Sequence, residues 1–143
     1  MITRPGYDWE RVGFWVNDGP AVLIRNGRVF ISYSASATDD SYCMCLLTAD
    51  ESSNLLDRTS WHKAHMPVFK SSAGNSQHGP GHNSFTVAPD SKTDLFFYHA
   101  RNYKDLHGDP LRNPGHYMRV QRLNWKQDGT PDCGEPVPDG RLP

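Results

Sequence analysis

Three features predict an all-β chain built as about two four-stranded antiparallel blades of a β-propeller. They are an Asn-Gly turn between apolar runs, a composition rich in turn formers, and a second half that repeats the plan of the first. The turn is Arg25-Asn26-Gly27-Arg28, set between AVLI and VFISYSA. Asn and Gly both tolerate the positive φ that a tight hairpin demands, so residues 21–34 are expected to form one. Only 36% of the chain is hydrophobic, against 12 Gly and 11 Pro. That balance suits short strands joined by many turns.

The elements follow in order. After the hairpin, YCMCLLTA (Tyr42 to Ala49) reads as a third strand, and a weaker fourth is expected near Trp61 to Phe69. Between them DESSNLLDRTSW carries the one helix signal, a single turn that Asp50, Ser52 or Ser53 would cap. The second half supplies SFTVA (Ser84 to Ala88), the polar turn PDSKTD, LFFYHA (Leu95 to Ala100), a long loop, and YMRVQRLNW (Tyr117 to Trp125) before the turn KQDG. GPAVLIRNGRVFISYSA and GPGHNSFTVAPDSKTDLFFYHA share a Gly-Pro turn, an inner strand, a hairpin and an apolar strand ending Tyr-x-Ala. Their spacing of roughly 60 to 65 residues is long for a propeller period, but the self-similarity points to blades. The expected organisation is one partial propeller domain, 1–143, with repeats at about 17–78 and 79–143.

Charge and cysteine content exclude several function classes. The chain has 15 Lys and Arg against 16 Asp and Glu, interspersed, so no basic face offers itself to nucleic acid or to an anionic membrane surface. Three cysteines leave at least one unpaired, and Cys43 and Cys45 are too close along one strand to bridge each other, so small buried thiols are expected. No apolar run reaches the length of a membrane span, and the first residues, MITRPGYDWERV, lack the apolar stretch of a signal peptide. As written, the chain is expected to be soluble and cytoplasmic.

Residues just before the inner strand of each blade converge at one end of a propeller. Asp18 precedes AVLI and His82 precedes SFTV, at equivalent places in the two repeats. Each has a plainer reading: Asp18 as a turn cap, His82 as a partner of loop backbone. Their equivalence favours a site.

VNDGPAVL, RVFISYSASATD, YCMCLLTAD, PVFKSS, GPGHNSFTV, YHARNY and RVQRLNWKQDGTPDCGEPVPDG together resemble, in order and over essentially the whole chain, the C-terminal portion of glycoside hydrolase family 43. The similarity is greatest to its five-bladed α-L-arabinofuranosidases. The resemblance implies inverting hydrolysis of arabinose-containing plant polysaccharides, with Asp18 at the position of the family's glutamate acid. Asp for Glu shortens the donor by about one C–C bond, roughly 1.5 Å, and general acid catalysis depends on hydrogen-bond reach. It also implies that the aspartate base and the aspartate that tunes the acid lie on N-terminal blades outside this sequence, so activity of this chain alone is expected to be weak. His82 matches a histidine that helps hold a central calcium ion through water, and Arg101 an arginine that approaches sugar hydroxyls. Trp15, Tyr98 and Tyr103 are further candidates, as flat faces for a pentose. The rival readings are a non-catalytic carbohydrate-binding protein and a structural half-propeller. Open sheet faces carrying Val22, Ile24, Phe30, Phe85 and Phe96 point to a homodimer.

Overall fold

The structure, a computed structural model, describes residues 1–140. Asn26 and Gly27 both take positive φ and turn the chain between β1 (Asn17–Arg25) and β2 (Arg28–Ala35). β2 pairs along its whole length with β3 (Cys43–Asp50), and β4 (His62–Lys63) closes an antiparallel sheet of order β1-β2-β3-β4. The second sheet joins β5 (His78–Val87), β6 (Asp94–Arg101) and β7 (Tyr117–Arg122) in that order. The residues expected to extend it fold instead as a separate hairpin, β8 (Asn124–Trp125) with β9 (Pro131–Asp132). Gln121 holds the following segment, donating to the carbonyls of Cys133 and Glu135 and accepting from the amide of Val137.

The helix signal resolves into a 3-10 turn at Arg58–Ser60. Its cap is Asp57, which accepts from the amide of Thr59, whereas Asp50 is occupied with Ser52 in the turn before it. The aspartate next to the turn wins because a cap must reach a free amide of the first turn.

Alternation along β2 sorts the core into two faces. Phe30, Ser32 and Ser34 point toward the second sheet: Phe30 meets Trp125 edge-on, Ser32 donates to Asn83, and Ser34 accepts from the amide of His82. Met44 and Phe69 join Phe96, Tyr98, Ala100, Leu123 and Cys133 in one cluster between the sheets, with Phe85 against it. Tyr33, Ala35, Cys45 and Leu47 face the other way, under Trp9 and Trp61. The expectation that Phe30, Phe85 and Phe96 lie on open faces is therefore corrected. Phe30 and Phe96 are fully buried and Phe85 half-buried, because the two sheets already cover each other. Of the five, only Val22 and Ile24, at 57% and 58% exposure, are open, and the dimer argument shrinks with them. Tyr98 is likewise a core residue and offers no face to a sugar.

The N-terminal segment is fastened to the second face of the first sheet by Glu10, which is fully buried. Its carboxylate accepts from the amides of Gly6 and Tyr7, from the Tyr33 hydroxyl at 2.8 Å and from Lys63 Nζ at 2.7 and 2.9 Å.

Cys43, Cys45 and Cys133 are free and buried, as expected. Burial, with like-charge neighbours, pushes the thiols of Cys43 and Cys133 up to about 12. A thiol reacts as its thiolate. Native protein at neutral pH is expected to label slowly with a disulfide reagent and to yield all three thiols once unfolded; fast labelling of the native chain would contradict this packing.

Candidate functional site

A kink in β1 makes the site. Register against β2 breaks between Asp18 and Ala21, and such a bulge re-aims the side chains beside it. Gly19 sits in the bulge at φ 56°, and a Cβ there would lie 2.9 Å from His82 Nδ1. Glycine is thus needed both for the backbone and to admit the imidazole. Pro20, which has no amide to donate, follows where the ladder is interrupted. Asp18 and His82 are inside strands rather than ahead of them, because the Gly-Pro segments continue the sheets through irregular pairings. They are nonetheless brought together, His82 against the backbone next to Asp18. His82 itself has φ 50°, a left-handed conformation anchored by its amide's 2.8 Å bond to Ser34 Oγ.

Asp18 is half-buried, and its Oδ1 accepts from the hydroxyl of the buried Tyr42 at 3.0 Å. Among the described residues its Oδ2 has no partner. The Tyr42 ring stacks on His99 with centroids 5.6 Å apart and an interplanar angle of 8°. His99 in turn neighbours His82 at 6.4 Å and His116 at 4.5 Å. Burial, reinforced by His116, His82 and Arg101, pushes His99 down to about 4, so it is neutral at physiological pH. Its Nδ1 is buried without a partner.

Arg101 closes the row. It is no solvated loop charge: it ends β6, is 1% exposed, and is bound by Asn113 Oδ1 at 3.1 Å, the Pro110 carbonyl at 3.0 Å and His116. Its Nη1 bonds to nothing among the described residues and lies 3.3 Å from where a Gly79 Cβ would be. Tyr103 donates to the same Asn113 oxygen at 2.7 Å, so it braces Arg101. Trp15 stands apart at 72% exposure with the Arg11 guanidinium over its ring.

Tyr42, His99, Asn113 and His116 escaped the sequence reading. A signal for His99 exists in the repeat: Tyr33-Ser34-Ala35 and Tyr98-His99-Ala100 are equivalent, and both middle residues face the site. Tyr42 and His116 are equivalent too, each one residue ahead of the strand that pairs with the Tyr-x-Ala strand, since Ala35 pairs with Cys43 and Ala100 with Tyr117. Asn113 lies in the loop before β7.

Calcium is a poor fit to these side chains. A hard cation takes six to eight oxygens, and among the described residues no three His, Cys, Asp or Glu side chains are grouped to hold a metal ion. His82 could present only one ring, through water.

Residues 2–131 match the family described as Glycosyl hydrolases family 43. The chain belongs to family 43. It is 55% identical over 142 residues to Alpha-L-arabinofuranosidase 43 of Humicola insolens, covering 99% of this chain and 30% of that protein. To the extracellular exo-alpha-(1->5)-L-arabinofuranosidase of Streptomyces avermitilis it is 53% identical, with the same shares covered. The crystal structure of an alpha-L-arabinofuranosidase from Lactobacillus brevis superposes with a TM-score of 0.96 at 56% identity, over 99% of this chain and 44% of that one. A thermostable family-43 glycoside hydrolase superposes with a TM-score of 0.68 at 26% identity. The fold is thus that of the family 43 β-propellers, and the chain spans under half the length of these relatives. Among the described residues no helix is long and apolar enough to cross a membrane.

Proposed function

We propose that this chain carries the acid side of an α-L-arabinofuranosidase site that acts on arabinose-containing oligo- or polysaccharides by inversion. The observation that carries this is Asp18, fixed through one carboxylate oxygen by Tyr42 and with the other free, at a bulge shared with His82. Asp18 gives its proton to the glycosidic oxygen as that bond breaks. Arg101 Nη1, braced by Asn113 and Tyr103, is the donor toward sugar hydroxyls. The names of the relatives in Humicola and Streptomyces support arabinofuranose as the sugar.

Inversion also needs a carboxylate base about 6.5–9.5 Å from the acid. Asp39 and Asp40 do not supply it: Asp39 caps Ser41, and Asp40 pairs with His78 at 2.7 Å and faces Lys104. For the isolated chain, sugar binding with little turnover is the second reading. The test is hydrolysis of an aryl α-L-arabinofuranoside beside the matching aryl β-D-xylopyranoside. Turnover of the arabinoside alone, below the usual range of about 1–1000 per second, is expected. Preference for the xyloside would overturn the substrate, and binding without turnover would favour the second reading.

A further inference from the structure

We infer that Tyr42 is a positioning residue that locks the Asp18 carboxylate in one rotamer, leaving Oδ2 alone to face the sugar. The inference rests on the reading of Asp18 as proton donor only for its effect on catalysis; the locking itself stands on geometry.

The phenol is held from every side. Tyr42 is buried just ahead of β3, on the far side of β2 from Asp18, and its amide donates to the carbonyl of Asp39 at 3.2 Å, which fixes the backbone. One face of the ring lies on neutral His99. Along its edge runs Gly81, where a Cβ would come within 2.4 Å of Tyr42 Cε1 and 2.8 Å of Ser34 Oγ. Any larger residue at 81 would displace the ring. Burial, and then the charge of Asp18, push the phenol up from its ordinary range, so Tyr42 keeps its proton and can only donate to a carboxylate. The Ser34 hydroxyl also neighbours the phenol, but the hydroxyl proton goes to the charged Asp18 Oδ1 at 3.0 Å, and a rigid donor sets the angle of the acceptor it bonds. Asp has one side-chain carbon fewer than Glu, so its reach depends more on rotamer, and errors of about 1 Å can cost about a hundredfold in rate.

The decisive variant is Tyr42→Phe, which keeps the ring, the stack on His99 and the fit against Gly81. In the labelled chain, NMR couplings across the Asp18 Cα–Cβ bond should report a single rotamer. In Tyr42→Phe they should average between rotamers, while amide shifts away from the site stay in place. Couplings that are identical in the two proteins would overturn the inference, whether both are locked or both averaged. The kinetic arm uses alkyl and activated aryl arabinofuranosides. Tyr42→Phe should lower kcat on the alkyl substrate about 10- to 100-fold with KM nearly unchanged, and leave the aryl substrate much less affected. An equal loss on both, or a change in KM only, would mark a structural role and overturn the catalytic part. Asp18→Ala separates the two ideas: if it spares the alkyl substrate, Asp18 is not the donor, and the couplings still decide whether Tyr42 positions it.

Discussion

Asp18→Ala is expected to slow release of an alkoxide from an arabinofuranoside by about 10²- to 10⁴-fold, the usual worth of a positioned general acid, and to slow release of a nitrophenolate far less. The reason is chemical. An alkoxide is too basic to leave without a proton, whereas a nitrophenolate leaves as the anion, so only the first depends on Asp18. Asp18 Oδ2 is the free oxygen that would make the transfer, since Tyr42 occupies Oδ1. Asp18→Glu is a separate probe. It adds about 1.5 Å of reach but carries the carboxylate past the Tyr42 hydroxyl, and because inversion also needs a separate base it should not by itself bring the chain to ordinary glycosidase rates. Because the comparison is a ratio of leaving groups measured on one protein, a low absolute rate does not blunt it. Equal losses on both substrates would remove Asp18 from the acid role.

Glu10→Ala should be strongly destabilising. Glu10 binds two amides, a tyrosine hydroxyl and Lys63 in a fully buried position. Removing it leaves the amide and hydroxyl donors unpaired and Lys63, mostly buried, with the Arg4 carbonyl but no counter-charge, and breaking a buried pair from one side costs about 3–5 kcal/mol. In a chain of this size that is a fall of the melting midpoint of about 10 °C or more. The pH dependence has a definite sign. Burial opposes ionisation of Glu10, but Lys63, the amides of Tyr7 and Gly6 and the Tyr33 hydroxyl outweigh it and hold the carboxyl below its ordinary value. A group whose folded pKa is depressed contributes stability above its unfolded pKa and loses it as pH falls through the folded one. The wild-type chain should therefore lose stability below the ordinary glutamate range, and Glu10→Gln should flatten that acid limb. A melting midpoint within about 2 °C of wild type in Glu10→Ala would show that the N-terminal segment is not fastened here.

Much of the architecture can be read in the residues because it rests on local chemistry. Asn26-Gly27 makes a hairpin wherever it falls between apolar runs, and alternation in RVFISYSA and LFFYHA sets which side chains face inward whatever the partner. The repeat ending Tyr-x-Ala likewise points to two sheets on one plan, and with them to His82 beside the segment that carries Asp18. Which face would be covered is a different kind of question. Alternation in a single sheet leaves Phe30 and Phe96 on an open face, and they are buried because the sheets pack on each other.

The amino-acid sequence by itself determined the long strands around the Asn-Gly hairpin, the family and the candidate acid, since each depends on neighbours a few residues apart or on motifs in series. Where the strands begin and end was left to the sheets, as β7 stopping at Arg122 and β1 starting at Asn17 show. Only the tertiary structure decided what surrounds that acid. Tyr42 reaches Asp18 across 24 positions, His82 seats on Gly19, and His99, His116 and Asn113 line up toward a buried Arg101. Hydrogen bonding and stacking of this kind join residues from different strands and loops, and their partners are chosen by which strands pair and how the two sheets pack, a geometry that no local spacing encodes.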